Sequence, residues 1–259
     1  MKISIITAAY NSAETLAGTI ESVLGQSYGD IEYILIDGNS TDATPDVVER
    51  YRPALERRCA FRYLREPDGG LYDAMNKGLA MASGDVVGTL NSDDFFSSSA
   101  IVSDVAAAFS ADAALDAVYG DVRYVQPGDV ERTVRYYSSA GFRRSRMRMG
   151  FMPAHPSFYC RRAVYEKYGT FDTSYRVAAD FELLLRFIFV HGIRTRYLPE
   201  CFVTMRAGGL SNRNLKSRLR IMREHRRALA AHGVRSNLLL LSTRYLYKIR
   251  EFAAGWSGR

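Results

Sequence analysis

A chain of 259 residues, 47% hydrophobic and 24% charged, carries enough apolar material for a full α/β core, which excludes a disordered or fibrous protein. Its net charge of +7 is unevenly spread: residues 1–209 hold 23 Lys/Arg against 26 Asp/Glu, whereas 210–259 hold 12 against 2. A near-neutral body with a basic, aromatic-containing C-terminus argues against nucleic acid as the main ligand and for an anionic surface. Cys59, Cys160 and Cys201 are odd in number and lack metal-type spacing, the pattern of reduced thiols in a cytoplasmic protein, and no stretch is apolar for long enough to span a bilayer.

In chain order, residues 2–9 read as a β-branched strand, 12–24 as a helix with Ser12 at its N-cap, 31–36 as a second apolar strand, and 41–58 as a helix capped by Thr41. A third strand at 61–64 enters the turn-rich loop Glu66-Pro67-Asp68-Gly69-Gly70, which is followed by a helix at 72–81 and a buried strand at 85–90. Strands alternating with helices of this length imply parallel βαβ units. Beyond them lie a hairpin (118–125 and 131–137), a basic loop at 143–148, a helix at 178–190 and a strand at 194–198. No internal repeat or low-complexity tract divides the body, so residues 1–210 are expected to form one domain, with 211–259 a basic helical tail.

The chemistry collects at strand ends. Asn91-Ser92-Asp93-Asp94 follows the 85–90 strand directly, and hydrophobic strands do not normally end in paired acids unless something cationic sits there. Hard carboxylate oxygens at the C-terminal edge of a parallel sheet suit Mg²⁺ or Mn²⁺ carrying a diphosphate, the alternative being a turn that caps the next helix. The first strand leads into Thr7-Ala8-Ala9-Tyr10-Asn11-Ser12 without the G-x-G-x-x-G cradle of a dinucleotide enzyme. That segment can line a base or ribose pocket, or Asn11 and Ser12 can simply cap the helix. Asp37, ending the second strand, can accept hydrogen bonds from a base or a ribose hydroxyl, or form the turn before Gly38. Asp180 opens a helix, where a partly desolvated carboxylate can act as a general base or merely complement the helix dipole; Glu182, two residues on, faces elsewhere.

Five segments stand in a telling order: Ile5-Ile6-Thr7-Ala8-Ala9-Tyr10-Asn11, Asp37-Gly38-Asn39-Ser40-Thr41-Asp42, Glu66 through Gly78, Asn91-Ser92-Asp93-Asp94, and Ala179-Asp180-Phe181-Glu182. Over residues 1–210 the chain thereby resembles the inverting family 2 glycosyltransferases, and most closely the bacterial branch that builds capsule, exopolysaccharide and O-antigen units. The resemblance implies a Rossmann-like glycosyltransferase A fold, with a mostly parallel central sheet and helices on both faces, a nucleotide-sugar-binding half (1–98) and an acceptor half (99–210). It implies a nucleotide-diphospho-sugar donor held by Thr7, Ala9, Tyr10, Asn11, Asp37, Asp68, Gly69, Asp73, Asn76, Lys77, Asn91, Ser92 and Asp93, with Mg²⁺ or Mn²⁺ on Asp93 and Asp94. Asp180 becomes the base, His155 lines the acceptor side, and Arg206 with Gly208 and Gly209 belongs to a flexible segment closing over the donor. Asn91 departs from the family pattern, replacing the usual first acid and leaving one fewer charge near the metal.

The implied acceptor is a glycan or polyprenyl-linked hydroxyl. The tail interleaves basic with apolar residues, as a helix lying on anionic lipid does, and a solvated helical hairpin packed on the body would look the same. The first reading places the protein on the inner face of the cell membrane. Two other functions share these features. A sugar-phosphate nucleotidyltransferase would show a glycine-rich basic loop after the first strand, and a silent sugar-nucleotide-binding scaffold would dispense with Asp93 and Asp180.

Overall fold

The structure, a computed structural model, describes residues 1–126, 128–207 and 215–243. Its strands are β1 (Ile3–Ala9), β2 (Ile31–Asp37), β3 (Ala60–Arg65), β4 (Val86–Thr89), β5 (Asp94–Phe96), β6 (Ala117–Gln126), β7 (Asp129–Tyr137), β8 (Tyr159–Arg161) and β9 (Thr195–Arg206). They join in one sheet of order β3-β2-β1-β4-β8-β6-β9-β5, with β7 added to β6. β1 to β4 are mutually parallel, β6 and β9 run the same way, and β5, β7 and β8 are reversed. The helices are α1 (Leu16–Leu24), α2 (Thr44–Arg58), α3 (Leu71–Met81), α4 (Ile101–Ala111), α5 (Arg162–Tyr168), α6 (Ala179–Leu184) and α7 (Leu215–Ala231). This is the α/β architecture expected from the alternating pattern.

Every residue of β1 and β2 is buried, which is why these strands read as continuous apolar runs rather than alternating ones. Two cores flank the sheet: Ile5, Tyr33, Leu16, Ile20 and Val48 pack on one side, and Ile6, Ile34, Met75, Phe181 and Leu184 on the other. α3 lies hard against β1 because residue 78 is glycine; a Cβ there would overlap the Ile6 side chain. That approach fixes the start of α3 at the C-terminal edge of the parallel strands.

Several boundaries move, each for a tertiary reason. α1 begins at Leu16 rather than 12, because the Ser12 hydroxyl bonds Ser92 (2.8 Å) while only its carbonyl serves the helix entry, accepting from the Thr15 and Leu16 amides. α2 begins at Thr44 with Ala43, not Thr41, at its N-cap position, and the preceding Asp42 holds the turn: one carboxylate oxygen accepts from the Thr44 amide (2.9 Å) and the other from the Ala13 amide (3.1 Å). α6 widens after Leu184 into a π-helical stretch, Leu185–Val190. β9 runs eight residues beyond the predicted 198, past Pro199, because a register shift against β6 around Asp121 absorbs the proline region and β5 pairs with its far end.

The region read as a tail divides. In α7 and the segment after it, Ala228, Leu229, Val234 and Leu241 are buried in the core that holds Phe181 and Leu184, so this part packs on the body. Leu238 and Leu239 nevertheless stand 48% and 78% exposed. Among the described residues, no helix is long and apolar enough to cross a membrane.

Candidate active site

The parallel strands deliver three loops to one edge of the sheet. At the ends of β1 and β2, Asn11 and Asn39 both adopt positive φ, +48° and +63°, conformations asparagine tolerates better than most residues. Asn11 ties the two loops together: its amide donates to the Ser40 hydroxyl (2.9 Å) and its side-chain oxygen accepts from the Thr41 amide (2.9 Å). Tyr10 is left 62% exposed on the rim, its ring free to lie against a flat group.

Asp37 is fully buried and densely held: Oδ1 accepts from the Ser40 amide (2.8 Å) and hydroxyl (2.6 Å), Oδ2 from the Tyr63 hydroxyl (3.0 Å), with the Arg65 guanidinium at 3.6 Å. The Asp68 carboxylate lies over Gly38 in the space a Cβ would fill and accepts from the Gly70 amide (2.8 Å). Asp73 accepts from the Gly69 amide (2.9 Å), while Lys77 pairs with Glu66 (2.8 Å) and donates to the Pro67 carbonyl (2.7 Å). The 66–70 loop is thus folded back onto the first turns of α3.

Three predicted donor residues turn to protein groups instead. Thr7 accepts from the Tyr33 hydroxyl (3.1 Å) inside the sheet, Ala9 is buried with its carbonyl accepting from the Gly38 amide (2.9 Å), and both ends of the Asn76 amide hold the Phe171 backbone (2.8 and 3.0 Å). The first two can shape a ligand pocket only through backbone, and Asn76 only through Phe171.

The acid turn follows β4. Asn91 donates to Asp94 Oδ2 (2.7 Å), Ser92 is pinned by Ser12 and by the Thr15 hydroxyl on its carbonyl (2.9 Å), and Asp93 is half-buried. Asp94 is completely buried, and its Oδ1 has no hydrogen-bond partner. Burial pushes both carboxyls above the usual aspartate range, well above it for Asp94, where the neighbouring Asp93 charge adds to the effect; Arg206 works against the rise at both. Arg206 is the last residue of β9 and so stands at a strand end rather than within a loop; its guanidinium donates to the Asp93 carbonyl and lies over the Phe95 ring at 5.2 Å. Gly208 and Gly209 fall outside the described residues.

The acid turn fits a divalent cation: an unpartnered buried carboxylate oxygen and two adjacent acids call for more positive charge than one arginine provides. Among the described residues no group of three or more His, Cys, Asp or Glu side chains is arranged to hold a metal, so the protein's own part would be the carboxylates of Asp93 and Asp94. Replacing Asp94 by Asn should therefore leave the metal-free fold at least as stable, since the amide spares a buried charge and can still accept from Asn91. The melting-temperature gain from Mn²⁺ with nucleoside diphosphate should be lost in the same variant; a large destabilisation without metal would contradict this account.

Asp180 is the second residue of α6. Its Oδ1 accepts from the Phe181 amide (2.8 Å) and, at 3.3 Å, from the Tyr72 hydroxyl. Tyr72 stacks on Phe171, and Phe171 meets the buried His155 ring edge-on, both at 5.5 Å between centroids. Burial raises the Asp180 carboxyl, with His155 opposing, and lowers the His155 imidazole, with Asp180 opposing. A carboxylate poised above its ordinary range beside a neutral imidazole is suited to taking a proton from a hydroxyl. Tyr72 and Phe171 went unread in the sequence. Tyr72 stands inside the quoted 66–78 segment, but nothing local signals its bond to a residue 108 positions away. Glu182 is buried and pairs with Arg186 (2.9 Å) and His232 (2.8 Å).

A family model described as "Glycosyl transferase family 2" matches residues 4–169. A PGL/p-HBAD biosynthesis glycosyltransferase of Mycobacterium bovis is 31% identical over 210 residues, 81% of this chain and 78% of its own length. An uncharacterized glycosyltransferase of Mycobacterium tuberculosis is 36% identical over 187 residues, 71% of this chain and 68% of its own. Among solved structures, the mannosyltransferase PcManGT from Pyrobaculum calidifontis, in complex with GDP-Man and Mn²⁺, matches with a TM-score of 0.69 and 19% identity over 99% of this chain and 74% of that one. S. aureus TarS 1-349 in complex with UDP-GlcNAc matches with a TM-score of 0.67 and 19% identity over 91% and 68%. These two establish the nucleotide-sugar transferase fold, and the family match with the curated relatives establishes that this chain belongs to glycosyl transferase family 2.

Proposed function

We propose that the chain is an inverting glycosyltransferase that moves one sugar from a nucleotide-diphospho-sugar to a hydroxyl of a lipid-linked or glycan acceptor in bacterial polysaccharide or glycolipid assembly. The observation that carries this reading is the half-buried Asp180 carboxylate at the start of α6, which accepts from the hydroxyl of Tyr72 at the start of α3. Asp180 takes the proton of the acceptor hydroxyl as that oxygen bonds to the anomeric carbon; the bond from that carbon to the diphosphate breaks, and its electron pair leaves with the diphosphate. Asp180 Oδ1 is engaged by the Phe181 amide, which leaves Oδ2 for the proton. His155, whose burial favours the neutral imidazole, lines the acceptor side. Asp93, Asp94 and Asn91 would hold Mg²⁺ or Mn²⁺, which when bound stabilises charge on the leaving diphosphate. Arg206 adds a fixed positive charge beside that turn.

Family membership favours this over nucleotidyl transfer, and the presence of both Asp93 and Asp180 favours it over a silent scaffold. Relatives and neighbours whose names include PGL biosynthesis, GDP-Man and UDP-GlcNAc support a nucleotide-sugar donor. Thermal shift with UDP-, GDP- and dTDP-sugars in Mn²⁺ tests it: one base should stabilise selectively, by about 2.7 kcal/mol at a hundred times its Kd. Indifference to every nucleotide would contradict the reading.

The acceptor side is read as facing an anionic membrane on the cytoplasmic side. The Ser236 hydroxyl donates to the Arg148 carbonyl (2.6 Å), which sets the exposed Leu238 and Leu239 near the basic turn containing the exposed Arg143, Arg144 and Arg148. Each basic residue near an anionic surface contributes about 1 kcal/mol, fading with salt. The chain should sediment with phosphatidylglycerol vesicles at low salt and less at high salt, and Leu238→Ser with Leu239→Ser should weaken binding. Full-length protein that stays in the supernatant at low salt would remove the membrane from the account.

A further inference from the structure

α7 lies beyond the span of the family match, yet it grips the segment that carries Asp180. The Glu224 carboxylate accepts three consecutive backbone N–H groups: one oxygen takes the Arg176 amide (3.2 Å), the other the Val177 and Ala178 amides (3.0 Å each). These are the last peptide groups before α6, where amides otherwise lack intrahelical acceptors and where negative charge complements the helix dipole. One residue along α7, His225 is buried with its ring flat on Phe181 (3.9 Å, 6°). Arg227 covers the Tyr175 ring at 4.2 Å and bonds the Ser174 carbonyl (3.2 Å) and hydroxyl (2.6 Å). Residues 174–181 are thus held by three side chains, Glu224, His225 and Arg227, within less than two turns of a helix that starts more than thirty residues later in sequence.

We infer that Glu224 is a positioning residue for Asp180: by collecting the amides of residues 176–178 it fixes where α6 begins, and so where the Asp180 carboxylate points. The inference rests on Asp180 being the base. Asp180 has little else to set its direction, since its bonds run to the amide of the next residue and to the Tyr72 hydroxyl. The Phe181 amide that holds Oδ1 moves with the backbone Glu224 fixes. Glu224 is also close enough to Tyr72 to add, after burial and Asp180, to the upward push on that hydroxyl, which places its charge beside the same cluster. No nearby sequence signal marks this role, because Glu224 sits among arginines on a basic helix and reads as one half of a surface ion pair.

The test compares Glu224→Gln, Glu224→Ala and Asp180→Asn with wild type, using whichever of UDP-glucose, UDP-N-acetylglucosamine, GDP-mannose and dTDP-rhamnose the wild-type chain turns over. A misplacement on the order of 1 Å costs roughly 10²-fold in rate, so both Glu224 variants should lose between about ten- and a hundredfold in kcat with donor KM within about twofold. Backbone amide exchange should accelerate at 176–178 and not in β1 and β2. The acid limb of kcat/KM should move to lower pH, because a loosened helix start lets water reach Asp180 and relieves the burial that raises its carboxyl; Tyr72 and His155 face the same group. Glu224→Gln keeps the shape of the side chain and serves if Glu224→Ala fails to fold. Wild-type kcat in a folded variant with accelerated exchange would overturn the inference, as would parallel losses of kcat, donor affinity and melting temperature, which mark a purely structural contact. If Asp180→Asn is inactive and the Glu224 variants are normal, the positioning role alone fails; if Asp180→Asn stays active, the base assignment fails, and the Glu224 inference with it.

Discussion

Asp180→Asn is expected to lower kcat by roughly 10²-fold or more while leaving nucleoside-diphosphate affinity unchanged, since the amide keeps the shape and the bond from the Phe181 amide but cannot take a proton. Transfer kinetics and calorimetry on one preparation decide it. Near-normal turnover would move the base elsewhere, with His155 the next candidate in the same cluster. The pH profile carries a further sign. Burial raises the Asp180 carboxyl, so the acid limb of kcat/KM should lie above the range of a free aspartate, and activity should fall as pH drops through it. Burial pushes the His155 imidazole the opposite way, down from its ordinary range, with Asp180 opposing.

The second large effect concerns the acid turn. Asp93→Ala should abolish metal-stimulated binding of nucleoside diphosphate, because Asp93 is the less buried of the two acids that would hold the cation, and Asp94 alone would supply too little charge for it. Mn²⁺ titration of wild type and variant in the presence of UDP and GDP is the measurement. Transfer by the wild type that survives EDTA undiminished would remove the metal, and Asn91 in place of the usual first acid would then be the reason.

The parallel half of the fold was readable because its determinants are local: continuous apolar runs for the doubly buried β1 and β2, turn residues at their ends, and periodic helices between. Misplaced boundaries trace to distant partners. Ser12 looks like an N-cap, but its hydroxyl is claimed by Ser92, 80 residues on. Arg206 precedes two glycines and reads as part of a loop, but pairing of β9 with β5 and β6 makes it a strand end. Asp37 reads as a ligand-facing acid at a strand end, and only β3, adjacent in the sheet, reveals that Tyr63 and Arg65 engage its second oxygen. The C-terminal segment shows the same limit. Its composition marks it as a basic tail, and composition carries no trace of Ala228, Leu229 and Leu241 packing into the body core. Deleting 212–259 would therefore open that core, which is why the membrane test uses Leu238 and Leu239.

The central claim is a single displacement with Asp180 as base, and the anomeric configuration of the product tests it most directly. Proton NMR of the product formed from a donor of defined configuration should show the opposite configuration at the transferred anomeric carbon. Retention of the donor's configuration would require two displacements or a different geometry of attack, and would contradict the account.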